Sequence, residues 1–369
     1  MAVKRSSTSN SRPRLGPPWG LAGAIVLLLL LEMLLRWLNP HGGVPSDADE
    51  GQFAYLSVPF ELQRGAPDVI IVGSSRARRG VLAPVIQRAI LENGLGRSVK
   101  NFSLGGAEAE EVELVIRRIA EAPSRPKLIV WAIAAREFKK RRSKPSAKVR
   151  YLWRPRDWLR ARGDLGARAD KYLPDAIRND AARWSLVARY RAPMRELLVR
   201  PSGDEPWQQF KQILRPVRGS PTPLQGGIAS IYRRSDRNAS HRVSIKRVKR
   251  YLGNSYKGRR WPRGYQAARF EAALRLTREL GVPLLLVELP THELLERLMP
   301  KNTQAKFRRY VSGVATDQHI PFVRVTDLDA RFTRRDFREQ SHLNYRGASR
   351  YSKAVASFVV ESLRAAKRR

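Results

Sequence analysis

The sequence predicts an α/β domain built on a parallel sheet of about five strands. Short runs rich in Val, Ile and Leu alternate with amphipathic segments, which is typical of a sheet covered by helices. The runs lack a strict alternation of apolar and polar residues, as expected of strands that are buried on both faces. Apolar residues make up 42% of the 369 residues and there is no cysteine, so a large core can form while a disulfide framework cannot.

The order of the elements follows from these runs. The predicted strands are residues 68–72, 99–103, 127–133, 283–289 and 321–325. The predicted helices are residues 84–93, 108–121, 264–280 and 347–366. The alternation of strand and helix is regular except for one long interruption after the third strand, which we expect to be a helical insertion over about 139–263.

The N-terminal region predicts a membrane anchor. Residues 19–38 form an apolar run that matches the ~20 residues a helix needs to cross a bilayer. Glu32 and Arg36 interrupt it four residues apart, where they share one helix face and can pair. Basic residues precede the run and acidic residues follow it, which predicts a cytoplasmic N-terminus. A cleavable signal peptide is the competing interpretation, but no A-x-A site follows the run.

The resulting organisation has four parts. Residues 1–18 are a basic cytoplasmic tail, 19–38 the anchor, 39–60 a linker and 61–369 the main domain outside the cytoplasm. A buried core helix is the structural alternative to an anchor, and the basic flank and neighbouring prolines disfavour it.

Positive charge dominates the chain and is concentrated in the insertion. The formal charge is +38, and residues 136–264 carry 35 Lys and Arg against 10 Asp and Glu, a net charge of +25. Such a balance favours anionic partners, namely lipid headgroups or an acidic glycan. Nucleic acid is disfavoured because the domain is expected outside the cytoplasm and carries no zinc-finger, RNP or homeodomain signature. A GC-rich genome, which enriches arginine at neutral surface positions, is an alternative explanation.

Three short blocks carry candidate chemistry. Ser75 follows the first strand in VGSSR, where a strand-to-helix turn can present a hydroxyl at the carboxyl edge of the sheet. Gly106 follows the second strand in SLGGA, where paired glycines let main-chain N–H groups approach a ligand. His342 precedes the last helix, with Glu339 three residues earlier in a position to orient its ring. Each block also has a plain structural interpretation as a loop, a packing turn or a helix cap. The five histidines lack metal-binding spacing, so we expect no metal and no cofactor.

Taken in this order, the blocks resemble the SGNH, or GDSL-like, hydrolase superfamily. The resemblance implies a flavodoxin-like three-layer sandwich in which Ser75 is the nucleophile, His342 the base and Glu339 the residue that orients it. It further implies that the N–H groups of Ser75 and Gly106 stabilise an oxyanion. The third strand departs from the family pattern, because WAIAAREF stands where a G-x-N-D block with an oxyanion asparagine is expected. Arg136 is the candidate substitute for that asparagine.

The N-terminal anchor and the H-L-N-x-x-G-A ending look most like the membrane-anchored branch of the superfamily. That branch includes D-alanyl transfer and alginate-type O-acetylation proteins of the bacterial envelope. The resemblance implies a serine esterase or O-acyltransferase on envelope polysaccharide, held in the bacterial cytoplasmic membrane with a periplasmic domain beside a multi-pass O-acyltransferase. The alternative is a catalytically degenerate scaffold that binds acidic envelope polymer or that membrane partner.

Overall fold

The computed structural model describes residues 19–38, 58–59, 62–63, 65–96, 98–138, 152–188, 243–253 and 261–368. The predicted tail, most of the predicted linker and large parts of the predicted insertion lie outside these residues. The chain divides into two units, one of residues 1–42 with 184–216 and one of residues 43–183 with 217–369. The second unit contains the sheet.

A five-stranded sheet in the order β2-β1-β3-β4-β5 forms the centre of the larger unit, and every neighbouring pair is parallel. This confirms the predicted α/β class and each predicted strand. The strands are β1 (Val69–Gly73), β2 (Val99–Asn101), β3 (Leu128–Ile133), β4 (Leu284–Glu288) and β5 (Phe322–Val323). β2 and β5 are shorter than predicted, although Phe102 after β2 still donates its N–H to the carbonyl of Ile71 in β1 at 2.8 Å.

The helices include all four that the sequence predicts. They are α1 (Trp19–Leu38), α2 (Ser75–Gly80), α3 (Ala83–Glu92), α4 (Ala109–Ala120), α5 (Pro155–Leu165), α6 (Leu173–Trp184), α7 (Ile245–Leu252), α8 (Tyr265–Glu279), α9 (Glu293–Leu298), α10 (Thr303–Asp317) and α11 (Tyr345–Arg368). The structure adds α2, α9 and α10 to the prediction for the α/β unit.

Two hydrophobic clusters cover the two faces of the sheet. Ile70 and Val72 of β1 belong to the cluster with α4, α8 and α10, while Val69 and Ile71 belong to the cluster with α2, α3 and α11. Successive residues of a strand point to opposite faces, so the unbroken apolar sequence of β1 serves both clusters. The sheet is therefore buried on both sides, as predicted.

The connections of the chain change sides next to β1. The chain leaves β1 through α2 and α3 on one face and leaves β2 through α4 on the other. In open parallel sheets, ligands bind at the carboxyl ends of the strands at such a switch point. The residue that opens α2 at this point is Ser75.

The described parts of the predicted insertion are helical. Within the larger unit, Arg118 of α4 pairs with Asp157 of α5, and both side chains are buried. The amide of Asn179 in α6 donates to the carbonyl of Trp153 at 2.9 Å. Trp153 and Trp158 are buried in the same cluster as α4, so tryptophan side chains anchor this part of the insertion, as the sequence suggests.

In the smaller unit, α1 contacts the short segment that follows α6. The carboxylate of Glu32 accepts hydrogen bonds from the N–H groups of Leu186 and Val187, both at 3.0 Å, and also pairs with Arg36. Most apolar side chains of α1 are exposed, namely Ile25, Val26, Leu27, Leu28, Leu29, Leu30, Met33, Leu34 and Trp37. Across the described ranges, no helix combines the length and the apolar content that crossing a membrane requires.

Two helical glycines give a matched test of how closely α11 packs against the buried turn at Asp336. A Cβ on Gly347 would overlap the carbonyl oxygen of Asp336, whereas a Cβ on Gly313 of α10 would meet nothing within 4 Å. We expect Gly347→Ala to lower the free energy of unfolding by about 1–3 kcal/mol, because the buried turn cannot move aside. Gly313→Ala should raise it by about 0.5–1 kcal/mol through helix propensity. Chemical denaturation of both variants measures this, and equal effects would contradict the packing described for α11.

Candidate active site

The turn after β1 presents Ser75 at the carboxyl edge of the sheet. Gly73 ends the strand with a φ of 147°, and a Cβ there would lie 2.5 Å from the carbonyl oxygen of Ala132 in β3. Only glycine fits a position with such a φ and such a close neighbour. Ser74 precedes α2 and Ser75 is the first residue of that helix. The sequence VGSS thus folds into a sharp turn that carries the hydroxyl of Ser75.

Three predicted residues come together at this turn. His342 Nε2 lies 2.9 Å from Ser75 Oγ, and His342 Nδ1 is hydrogen-bonded to Glu339 Oε1. The same carboxylate oxygen accepts the backbone N–H of His342 at 2.9 Å and the hydroxyl of Ser341 at 2.8 Å. Glu339 therefore fixes the ring from one side, so that the other ring nitrogen faces the hydroxyl of Ser75.

The loop that carries His342 is fixed by a buried aspartate and a helix cap. Asp336 is fully buried and pairs with Arg350 at 3.0 Å on α11. Asn344 precedes α11, and its side-chain oxygen accepts the N–H of Gly347 at 2.9 Å, which caps the helix. Between them, the N–H of Arg338 donates to the carbonyl of His342 at 2.9 Å. The short loop before α11 is thereby held at both ends.

The protonation states follow from burial and from these neighbours. Burial raises the pKa of Glu339, but the hydrogen bonds and charge of His342 and the hydroxyl of Ser341 outweigh it and lower this pKa to about 2. Burial lowers the pKa of His342 below 6.5, and Arg79 and Arg76 lower it further, against the opposing effect of Glu339. At neutral pH the imidazole is neutral, carries its proton on Nδ1 toward Glu339, and leaves Nε2 free to accept a proton.

Gly106 lies in the loop that continues β2 along the end of β1. The N–H of Leu104 donates to the carbonyl of Gly73 at 2.9 Å, so the loop runs directly beside the turn of Ser75. Asn101 strengthens this contact, because its side-chain amide donates to the carbonyl of Val81 at 2.9 Å, just after α2. Gly106 itself is exposed in a turn. The second predicted oxyanion donor therefore belongs to the loop next to the nucleophile turn.

Arg136 contacts an aromatic ring of the insertion. Its guanidinium carbon lies 4.1 Å from the ring centroid of Tyr251 in α7, which is the geometry of a cation–π contact. Ser75 is not among the described partners of Arg136. The sequence offered no signal for this, because the partner ring comes from the insertion more than one hundred positions away.

The residue after Arg136 is one that the sequence analysis passed over. Glu137 is 1% exposed, and its carboxylate accepts the indole N–H of Trp131 at 3.0 Å. Arg76, next to Ser75, is likewise buried and donates to Pro290 and Thr291 after β4. The sequence shows Glu137 after β3 and Arg76 after β1, and charged residues at strand ends could have marked them as site candidates. It does not show that they are buried, because their burial depends on the tertiary fold.

His292 lies between β4 and α9. The structure gives it a local role, because its Nδ1 accepts the N–H of Leu294 at 3.0 Å and so caps α9. Its ring packs edge-on against Phe337 with centroids 5.2 Å apart. Within the described residues, no group of three His, Asp or Glu side chains has an arrangement that would hold a metal ion.

Comparisons with known proteins identify no family for this chain. No model in a scan of protein families matches the sequence. A search of curated proteins likewise finds no matching relative. Function is therefore inferred from the geometry of Ser75, His342 and Glu339.

The lowered pKa of Glu339 predicts a specific dependence of stability on pH. The ionised carboxylate is favoured in the folded state, so it contributes stability above its ordinary pKa of 4.5, and this contribution is lost as the pH falls toward 2. Glu339→Gln should therefore melt a few degrees lower than the wild type at pH 7, and this difference should shrink in acid. Thermal unfolding from pH 7 to about pH 3 measures it.

Glu296→Gln is the matched control, because Glu296 is exposed on α9. It should follow the wild type at every pH. A Glu339→Gln variant with the same pH dependence as the wild type would contradict the hydrogen bond between the ionised Glu339 and His342.

Proposed function

We propose that this protein is a serine esterase or O-acyltransferase that works through an acyl-serine intermediate. The observation that carries the proposal is the 2.9 Å contact between Ser75 Oγ and His342 Nε2, with Glu339 on the opposite ring nitrogen. A weakly acidic hydroxyl becomes a nucleophile when a neutral imidazole accepts its proton and a carboxylate fixes the tautomer of the ring. The contacts of Ser75, His342 and Glu339 support both conditions.

In the first step, Ser75 Oγ attacks the carbonyl carbon of an acyl ester while His342 Nε2 takes the hydroxyl proton. The imidazolium that forms is stabilised by Glu339, which stays ionised throughout. The N–H groups of Ser75 and Gly106 are the proposed donors to the oxyanion. When the intermediate collapses, the bond to the leaving oxygen breaks and His342 returns the proton to the departing alcohol.

The second step repeats the first with a different nucleophile. A glycan hydroxyl or a water molecule gives its proton to His342 Nε2 and attacks the carbonyl carbon of the acyl-serine. Collapse breaks the bond to Ser75 Oγ, which regains the proton from His342. Transfer to a glycan gives an O-acyltransferase, and transfer to water gives an esterase. Because the base must be neutral, activity should rise with pH through an apparent pKa below 6.5.

The family assignment is part of this proposal. The strand order 2-1-3-4-5 is that of a flavodoxin-like sandwich, and the order of the blocks around Ser75, Gly106 and His342 resembles that of SGNH hydrolases. Glu339 in place of the family aspartate keeps the charge and, in this geometry, still contacts the ring of His342.

The proposed substrate is an acyl ester of bacterial envelope polysaccharide, and the proposed location is the cytoplasmic membrane with the domain in the periplasm. The exposed apolar side chains of α1 support attachment to a bilayer, and the basic residues before the helix support a cytoplasmic N-terminus. The net charge of +38 supports contact with lipid headgroups or an acidic glycan. A multi-pass acyltransferase is the proposed protein partner.

A second candidate function is a binding scaffold without turnover. The third strand favours it, because no asparagine stands where the third oxyanion donor is expected and the candidate substitute, Arg136, contacts Tyr251. Loss of one such donor costs about 10²–10³ in rate in other serine enzymes. In this function, the basic insertion binds acidic polymer and Ser75 is dispensable.

Covalent labelling distinguishes the two functions. We expect a fluorophosphonate to modify the full-length protein at Ser75, mapped by mass spectrometry of the peptides. Ser75→Ala should abolish labelling, and His342→Gln should slow it by about 10³-fold or more, because no base remains to take the proton.

Ser357→Ala is the matched control, since Ser357 is exposed on α11 away from this turn, and it should label like the wild type. A folded wild type that does not label would contradict the enzyme and favour the scaffold.

Replacing leucines of α1 by lysine tests the attachment to a membrane. We expect the wild-type chain to fractionate with membranes and to resist extraction by high salt. Leu28→Lys with Leu30→Lys should release it, because each lysine at the centre of a spanning helix costs about 2.5–3.5 kcal/mol. Leu159→Lys, at an exposed apolar residue of α5, is the control and should stay with the membrane. Release of the wild type by salt alone would point to attachment through surface charge.

A further inference from the structure

A buried glutamate lies directly behind the nucleophile turn. Glu137 belongs to the single helical turn Ala135–Phe138 that follows β3, the strand next to β1. Its side chain is almost completely buried, at 1% exposure. A carboxyl group in such a position requires specific partners or loses its charge. The proposed mechanism leaves this group without a role.

The partners of Glu137 connect it to the residue before the nucleophile. Trp131 donates its indole N–H to Oε2 at 3.0 Å. The backbone N–H and the hydroxyl of Ser74 also act on the carboxyl as hydrogen-bond donors. Oε1 is buried and has no hydrogen-bond partner within the described residues. The carboxyl thus joins the end of β3 to the end of β1.

The side chain of Ser74 does not cap the helix that follows it. It occupies the N-cap position of α2, where a serine hydroxyl normally accepts an N–H from the first turn. Its side chain makes no such capping bond. Ser74 is 7% exposed and interacts with Glu137 instead. Glu137 therefore fixes the orientation of Ser74 and, through it, the backbone that leads into Ser75.

One charged group of the site acts on this carboxyl. Arg76 of α2 attracts the carboxylate form, but its guanidinium already donates to the carbonyl of Pro290 and to Thr291 Oγ1 at 3.2 Å. Burial is the stronger influence and raises the pKa of Glu137 to about 8. At neutral pH the carboxyl is therefore mostly uncharged. Arg76 also acts on His342, so the two titrating groups share one cation.

We propose that Glu137 is a positioning residue for Ser75, which holds Ser74 and the nucleophile turn in place while it is uncharged and misplaces them when it ionises. The inference rests on the proposed function of Ser75. Unlike the asparagine expected here, Glu137 acts through its neighbours Ser74 and Arg76 and not on the substrate.

Ionisation changes what this carboxyl demands from its neighbours. Ser74 already donates to this carboxyl, so the group that a buried carboxylate draws toward it is the cation Arg76, which otherwise donates to Pro290 and Thr291. Movement of Arg76 displaces the backbone of Ser75, the residue before it. A misplacement of about 1 Å at a reacting atom costs on the order of 10²-fold in rate.

The test measures the rate of fluorophosphonate labelling of Ser75 in the full-length protein between about pH 6 and about pH 10. The variants are Glu137→Gln, which keeps the shape and stays neutral, and Glu137→Ala. The matched control is Glu111→Gln, because Glu111 is also fully buried but lies on α4, where it accepts the N–H of Glu108 at 2.9 Å.

We expect the wild-type rate to fall above pH 8, by about tenfold for each further pH unit. Glu137→Gln should lack this fall, whereas Glu111→Gln should keep it. Glu137→Ala should label more slowly than Glu137→Gln at every pH. The variant should lower the rate constant of the covalent step and leave unchanged the fluorophosphonate concentration that gives the half-maximal rate. A merely structural role would not move the pH profile.

Tryptophan fluorescence reads the ionisation without any reaction. The indole of Trp131 contacts the carboxyl, so its emission should change with an apparent pKa near 8 in the wild type and in Ser75→Ala. The change should be absent in Glu137→Gln and in Trp131→Phe. The second variant is needed because the chain contains eight tryptophans, and the signal must be assigned to Trp131.

Each outcome decides between the proposals. A labelling rate that falls above pH 8 in Glu137→Gln as in the wild type overturns this inference and leaves the enzyme intact. A wild type without the fluorescence transition also overturns it. A wild type that never labels at Ser75 overturns the proposed function and with it the positioning role.

Discussion

The candidate site depends on one hydrogen bond between residues that are 267 positions apart, from Ser75 to His342. The parallel sheet makes this contact possible, because the turn after β1 and the loop before α11 meet at the same edge. Ser352 of α11 ties the two sides together by accepting the N–H of Leu82, just after α2, at 2.8 Å. The buried Asp336 fixes the loop on the other side through Arg350. The bond thus joins two segments that are both anchored to α11.

Burial and neighbouring charges give the titrating groups of the site different protonation states. Glu339 has three donors for one oxygen and stays ionised with a pKa of about 2, while burial raises the pKa of Glu137 to about 8. Burial lowers the pKa of His342 below 6.5, against the opposing effect of Glu339. Groups with separated pKa values are typical of acid–base catalysis. Near neutral pH, His342 is a neutral base, Glu339 is an ionised carboxylate that orients it, and Glu137 is mostly uncharged.

The sequence predicted the features that local patterns determine. The apolar runs located all five strands, and the rule that ligands bind at strand ends brought Ser75, Gly106 and His342 to one edge of the sheet. The fate of Arg136 was not predictable, because its partner Tyr251 comes from the insertion. The role of Glu137 was equally hidden, since its burial and its contact with Ser74 exist only when β1 and β3 are paired. Contacts between neighbouring strands depend on register, and a single sequence shows the strands but not the side chains that meet between them.

A crystal structure of the protein after reaction with a fluorophosphonate tests the central claim most directly. We predict a covalent phosphonyl group on Ser75 Oγ, with one phosphonyl oxygen facing the N–H groups of Ser75 and Gly106 and with His342 Nε2 within about 3 Å of Ser75 Oγ. An adduct on another serine, or a His342 ring turned away from Ser75 with Glu339 unpaired, would contradict it.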